Sequence, residues 1–201
     1  MKKFELTSET KINIFGKKLF RIKALVSFGV VKTGETGGWV EKEENVNQSG
    51  DAWVFGNAEV FGNARVSGDA WVFGNAEVFG NAEVFGDARV FGNAEVSGNA
   101  RVSGDAEVFG NARVSGNARV FGNAEVFGNA DYTTIHGFGT QFRTTTFFRC
   151  KDKQVKVSCG CFYGTIPEFR EQVKNTRDGK IAEEYLMIAD LMEKHFAEEA
   201  K

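Results

Sequence analysis

From Gly50 to about Thr133 the chain repeats a six-residue word, G-[N/D]-A-x-V-[F/S], with no insertion, its glycines falling at 50, 56, 62 and every sixth position to 128. So short and strict a period constrains the fold more than composition does, because every unit must bury the same face against its neighbours. Ala and Val stand two apart in each word, as in Ala52/Val54 and Ala58/Val60. Period two places both on one face of a short strand and turns the residue between them outward. The Phe or Ser that follows ends the strand. Gly-Asn or Gly-Asp then turns the corner, because these residues tolerate positive φ.

The variable positions give the number of words in a coil. Asp replaces Asn at Asp51, Asp69, Asp87 and Asp105, each eighteen residues after the last, and Trp53 and Trp71 are eighteen apart too. Three words therefore make one coil, and the section is triangular. Residues eighteen apart stack into outer columns. One column is Trp53, Trp71, Arg89, Glu107, Glu125; the next is Glu59, Glu77, Glu95, Arg113, Asp131; the third is Arg65, Glu83, Arg101, Arg119.

On these words the sequence resembles the hexapeptide-repeat proteins that fold as left-handed parallel β-helices: Val54 opens a word, Ala58 is the small residue four later and Val60 opens the next. It departs from their usual word in the Phe or Ser after the aliphatic residue. More narrowly, it is similar to phage and prophage proteins with G-N-A-x-V repeats, sharing an opening like Lys18–Phe28, the Gly37-Gly38-Trp39-Val40-Glu41 junction and the Cys159-Gly160-Cys161-Phe162-Tyr163-Gly164-Thr165 ending. The resemblance implies a fold and leaves activity open, since fold does not fix function.

The expected architecture is mainly β: a single-stranded left-handed parallel β-helix over residues 38–133, between an N-terminal β cap (1–37) and a small C-terminal α+β cap (134–201). In the first cap Lys3–Thr7, Lys11–Phe15 and Leu19–Phe28 read as strands, with Gly16-Lys17-Lys18 as a hairpin turn. Gly38 falls in repeat phase with Gly50, which puts Val40 and Val46 at the Ala position of a degenerate first coil. In the last cap Thr144–Cys150 and Gln154–Cys159 read as a hairpin. Pro167 suits the first turn of a helix capped by Thr165, and Ile181–Glu198 makes a second helix.

Charge is uneven. Residues 1–37 carry eight basic against three acidic side chains, residues 38–131 six against fourteen, and residues 132–201 eleven against ten. An acidic shaft disfavours duplex nucleic acid along it, because phosphate neutralisation dominates such affinity. No apolar run reaches membrane-spanning length. Met1–Glu5 has no apolar signal core, and three cysteines clustered late fit a reducing compartment. The sequence expectation is thus a cytoplasmic protein with neither nucleic-acid nor membrane partners.

Candidate functional residues are few. Trp53, Phe55, Trp71, Phe73 and Phe91 read as one outward aromatic patch, covered either by the chain's own caps or by another subunit, or serving as a ligand platform. Because the patch is too apolar for open solvent, the second reading makes a homo-oligomer the expected assembly, and a monomer would leave self-cover. The stacked Asp residues read as turn formers, with chelation of a cation such as Ca²⁺ as the alternative, and no metal site is expected. Hexapeptide acyltransferases deprotonate their acceptor with a histidine; His136 is the candidate such a resemblance implies, and His195 reads as a helix-surface residue. Cys159-x-Cys161 is too tight and solitary for zinc.

The strand Arg143–Lys151 alternates cations, hydroxyls and aromatics. Arg143, Thr145, Arg149 and Lys151 are therefore the candidate cradle for an anionic, nucleotide-like ligand. The leading reading is a non-enzymatic binding protein with no cofactor. The phage resemblance implies one that counters host defence by sequestering a nucleotide-like ligand or binding a host protein. An acetyl-coenzyme A-dependent acyltransferase and a purely structural shaft are the alternatives.

Overall fold

A computed structural model of the 201-residue chain describes residues 2–197. Three strands open it: β1 (Phe4–Ile12), β2 (Lys18–Ala24) and β3 (Thr36–Val40). Thirteen two-residue strands follow at six-residue intervals, from β4 (Trp53–Val54) to β16 (Glu125–Val126). β17 (Tyr132–Phe138), β18 (Arg143–Arg149), β19 (Val155–Cys159), β20 (Phe162–Thr165), α1 (Ile166–Thr176) and α2 (Gly179–Phe196) complete it.

The words form a three-sided parallel β-solenoid of about five turns. Partners are eighteen residues apart along each side: Trp71 pairs with Arg89 and Arg89 with Glu107 on one face, Glu77 with Glu95 on the second, Arg101 with Arg119 on the third. Every Ala from Ala52 to Ala124 and every Val from Val54 to Val126 is fully buried in one continuous core. A coil two alternating residues deep per side has no other interior, so Ala next to the corner and Val at mid-face fill it. The ladder uses three amides per word. The outward residue donates to the Ala carbonyl of the next coil, the Phe or Ser to the Val carbonyl, and the turn Asn to the Gly carbonyl, as in Glu77 to Ala94 (2.9 Å), Phe79 to Val96 (2.9 Å) and Asn81 to Gly98 (2.7 Å). Glycine is required at the corners. Gly92 has φ 73°, and a Cβ there would sit 3.0 Å from the Gly110 amide nitrogen of the turn stacked upon it.

The start of the chain differs from the sequence expectation in three ways. Lys3–Thr7 and Lys11–Phe15 are not two strands; β1 runs through Phe4–Ile12 with a register shift between Leu6 and Thr10, and the turn lies beyond it. The cap is also not a separate piece. β2 pairs antiparallel with β3, and β3 pairs parallel with Glu59–Val60, so the opening strands continue one face of the solenoid. Finally, Val40 aligns with Val60 and Val46 with Val66, twenty residues on rather than eighteen. Both valines hold the Val position, and Gly38 holds the Ala position, where a Cβ would collide with Val54 and Ala58. The two extra residues fall between Val46 and Val54, which leaves the glycine phase intact while the strand phase slips.

Trp53 is the largest correction. It points outward as its place in the word requires, yet it is fully buried. Phe4 and Phe28 meet its indole edge-on, with centroids 5.8 and 5.3 Å away. Of the readings open for the aromatic patch, cover by the chain's own cap holds for Trp53, and that residue leaves the candidate interface.

The far end closes by a different device. The word stops at Gly128, whose φ is −147° where earlier word-glycines are positive. Asn129–Asp131 form a 3-10 turn, so Asp131 does not extend the second column; its carboxylate instead accepts the Phe127 and Gly128 amides. β17, which the sequence pattern did not suggest, pairs with β18, and the sheet order is β17-β18-β19-β20. Phe148 and Cys150 on one side of β18 enter the solenoid core, while Phe147 on the other joins the helices. The helices stand where Pro167 and the apolar stripe placed them, though Glu198, the expected end of the second, lies outside the described residues; Thr165 and Glu168 form a reciprocal cap. No helix among the described residues is long and apolar enough to cross a membrane.

Candidate functional site

Closing the solenoid with a flat sheet leaves a gap. β18 lays Phe148 into the core, and its Thr146 hydroxyl oxygen accepts the Arg119 backbone N–H at 3.0 Å, which seats the sheet on the third face. Towards the start of β18 the sheet no longer packs on the coils, and a cleft of about 810 Å³ opens. The third face contributes Arg101, Arg119 and the corner residue Asn117; the cap contributes Arg143, Thr144 and His136. Cys161, in the turn joining β19 to β20, sits at its edge.

The cleft gathers positive charge in a shaft that is otherwise acidic. Arg101 is paired with Glu83 of the previous coil at 2.5 Å. Arg119 and Arg143 are both exposed, and neither forms an ion pair among the described residues. His136 holds its Nδ1 3.1 Å from the Thr144 hydroxyl, so its orienting partner is neutral. A general base of the Ser-His-Asp kind has a carboxylate in that place; here none among the described residues is bonded to the ring.

The corner beside this face carries a hydrogen-bonded ladder of amides. Asn63 donates from Nδ2 to the Asn81 Oδ1 at 3.2 Å, Asn81 to Asn99 at 3.0 Å and Asn99 to Asn117 at 3.0 Å. A second ladder, Asn57–Asn75–Asn93–Asn111, runs along another corner and lies outside the cleft.

Of the four residues proposed as an anion cradle from sequence, the structure brings only Arg143 to the cleft. Thr145 is buried and donates to the Cys159 sulfur at 3.2 Å. Arg149 is paired with Asp131 at 3.3 Å and donates to the Phe196 carbonyl at 2.8 Å. Lys151 is paired with Glu107 at 2.9 Å, across the first face. The cause is position along the strand, since all four share one side of it: residues further along meet the helices or the acidic first face, and only the start of β18 overhangs open space. His136 is in the cleft, although no insertion builds a groove for it; the gap under the cap does. His195 is exposed on α2, as its helical position suggested.

Arg101, Arg119 and Asn117 were not singled out from the sequence. Their signal was present in the third column, where three arginines face one glutamate while the second column is mostly acidic. The buried Cys150 thiol is pushed up to about 11 by burial, with Asp152 adding to it, so it stays protonated at neutral pH. Among the described residues no group of three or more His, Cys, Asp or Glu side chains is placed to hold a metal ion.

The other candidate residues lie along the first face. Phe55 meets Trp71 edge-on at 5.7 Å, Phe73 stacks on Phe91 at 4.7 Å, and Phe91 on Phe109 at 4.8 Å. All are half-buried, and Phe127 at the end is 61% exposed.

Residues 58–74 and 112–128 match the family pattern described as the YdcK beta solenoid repeat. Each match is just short of one eighteen-residue coil and starts on the Ala of a word, and the two starts lie three coils apart. The chain is a β-solenoid repeat protein. The matched stretches carry the repeat and none of the residues contributed by the cap, so the likeness speaks for the shaft. A search of curated proteins finds no match to the chain.

Proposed function

We propose that this β-solenoid protein binds a small anionic ligand in the cleft between its third face and its C-terminal cap, and releases it unchanged. The observation that carries the reading is the convergence of Arg119 and Arg143, from two separate parts of the fold, on one cleft with no carboxylate among the described residues paired to either. Arg113 and Arg101 find an acid on the adjacent coil, Glu95 and Glu83, while Arg65 like Arg119 has no ion pair among the described residues; what sets Arg119 apart is the second arginine, Arg143, that the cap brings to the same cleft. Guanidinium groups that lack such a partner are the usual recognition element for phosphate and carboxylate.

Sequestration suits the chemistry better than turnover. His136 is the one base in the cleft, and its partner is a hydroxyl. Similarity to phage and prophage repeat proteins adds a context, in which a phage-encoded, cytoplasmic protein removes a nucleotide-like host ligand. His136 does face the cleft, which keeps acyl transfer from acetyl-coenzyme A as the second reading; that activity requires consumption of the thioester and its loss in His136→Ala. The half-buried Phe73–Phe91–Phe109 ladder is our proposed contact between copies in a homo-oligomer, tested by whether Phe91→Asp lowers the mass seen by light scattering.

A thermal-shift screen of nucleotides, cyclic nucleotides and coenzyme A tests the main reading. A ligand bound only by the native state raises apparent stability by about 2.7 kcal/mol at a hundredfold excess over its Kd. A shift with any of them that Arg119→Ala or Arg143→Ala removes supports the reading. No shift at millimolar concentration sinks it for these ligands and leaves a structural shaft or a protein partner.

A further inference from the structure

The Asn63–Asn117 ladder has a direction, the same as that of the Asn57–Asn111 ladder, and a cation far from the cleft caps its accepting end. Lys42 donates its ammonium to the Asn63 Oδ1 at 3.2 Å. An ammonium has only donors, so the Asn63 oxygen must face it and the Asn63 NH2 must face onward. Each following amide accepts from behind and donates ahead. The last, Asn117, has its oxygen occupied by Asn99 and its NH2 left over, and Asn117 lines the cleft. Hydrogen bonds in such a chain polarise one another in the same sense, which strengthens the final donor.

The cleft therefore offers donors from Arg119, Arg143, Asn117 and the part of Arg101 not held by Glu83, and its one acidic neighbour is already engaged. A carboxylate has two oxygens with which to meet these groups, while a phosphoryl group has three strong acceptor oxygens and carries up to two charges. A volume of about 810 Å³ leaves room for the remainder of a phosphate ester beside its phosphates. We infer that the cleft selects a phosphoryl or pyrophosphoryl group over a carboxylate, and that Asn117, its oxygen held by the ladder and its NH2 free to donate, is a specificity-determining donor for it. The inference rests on the anion-binding reading above and names its ligand class.

Calorimetric titration with inorganic pyrophosphate, ADP and citrate, at one pH and ionic strength, tests it. Wild type is expected to bind pyrophosphate and ADP at least tenfold tighter than citrate. Asn117→Asp replaces the donor with an acceptor and a negative charge, and is expected to weaken pyrophosphate about tenfold or more. Asn111→Asp makes the same change at the end of the other ladder and is expected to bind like wild type. Asn117 is exposed, so its variant is expected to fold, and a melting curve checks this. If Arg119→Ala and Arg143→Ala abolish pyrophosphate binding while Asn117→Asp leaves it unchanged, the anion cleft stands and the role of the ladder is overturned. Citrate binding as tightly as pyrophosphate overturns the ligand class alone. No binding of any of the three overturns both.

Discussion

Phe4 meets the indole of Trp53 edge-on at 5.8 Å, and through this contact the N-terminal segment covers the open end of the solenoid. Removing the indole leaves a cavity bounded by Phe4, Phe28 and the first coil. Trp53→Ala is expected to cost about 3–5 kcal/mol in urea denaturation. Trp71→Ala, one coil on and only half-buried, should cost clearly less. Equal losses at the two positions would contradict the cover.

Two glycines separate conformation from packing. Gly92 and Gly116 have φ of 73° and 68°, but a Cβ at Gly92 meets the backbone of Gly110 while one at Gly116 meets nothing within 4 Å. Gly116→Ala should cost about 1–2 kcal/mol for its left-handed conformation alone. Gly92→Ala should cost more, because the stacked turns must also part. Denaturation midpoints of the two variants check the order, and a Gly116→Ala that is the worse of the pair would refute it.

Lys3 gives the stability a pH slope in the alkaline range. Its ammonium is buried over the Phe28 ring and donates to the Gly50 and Ala52 carbonyls at 3.1 and 2.9 Å. Burial draws its pKa from 10.5 down to about 8, against the opposing pull of Asp51 and Asp69. Below about 8 the group is charged in both folded and unfolded chains, and the burial penalty is present in full. Between about 8 and 10.5 the unfolded chain binds more protons, so stability rises with pH and the penalty, on the order of 3 kcal/mol at most, is relieved. The stability difference between wild type and Lys3→Met should therefore move in favour of wild type across that window. A difference independent of pH would show that Lys3 is not buried as described.

The shaft was legible because its information is local: Ala and Val two apart give the buried face, and substitutions eighteen apart give the coil. The two-residue slip between Val46 and Val54 was hidden, because glycine phase and strand phase agree everywhere else. The burial of Trp53 was open for another reason; its outward direction follows from the word, but its cover depends on where β1 and the loop after β2 travel. Arg143 and Arg149 look equivalent in the sequence, with the same residue type on the same side of one strand. Only the fold shows that Arg149 finds Asp131 and Arg143 finds no acid. The cleft joins Arg101 and Arg119, one coil apart, to a strand that begins more than twenty residues later. Spacing alone does not bring these together.

The account turns on where an anion binds, and calorimetry with a nucleotide found in the thermal screen, run on three proteins, addresses it most directly. Arg119→Ala/Arg143→Ala empties the cleft of its two unpaired cations. Arg149→Ala/Lys151→Ala removes two cations already held by Asp131 and Glu107. The expected result is binding by wild type, at least a hundredfold loss in the first double variant, given about 1.5–3 kcal/mol for each charged hydrogen-bonding group removed, and an affinity within a few-fold of wild type in the second. Wild-type affinity in the first variant with loss in the second would place the ligand elsewhere and contradict the cleft.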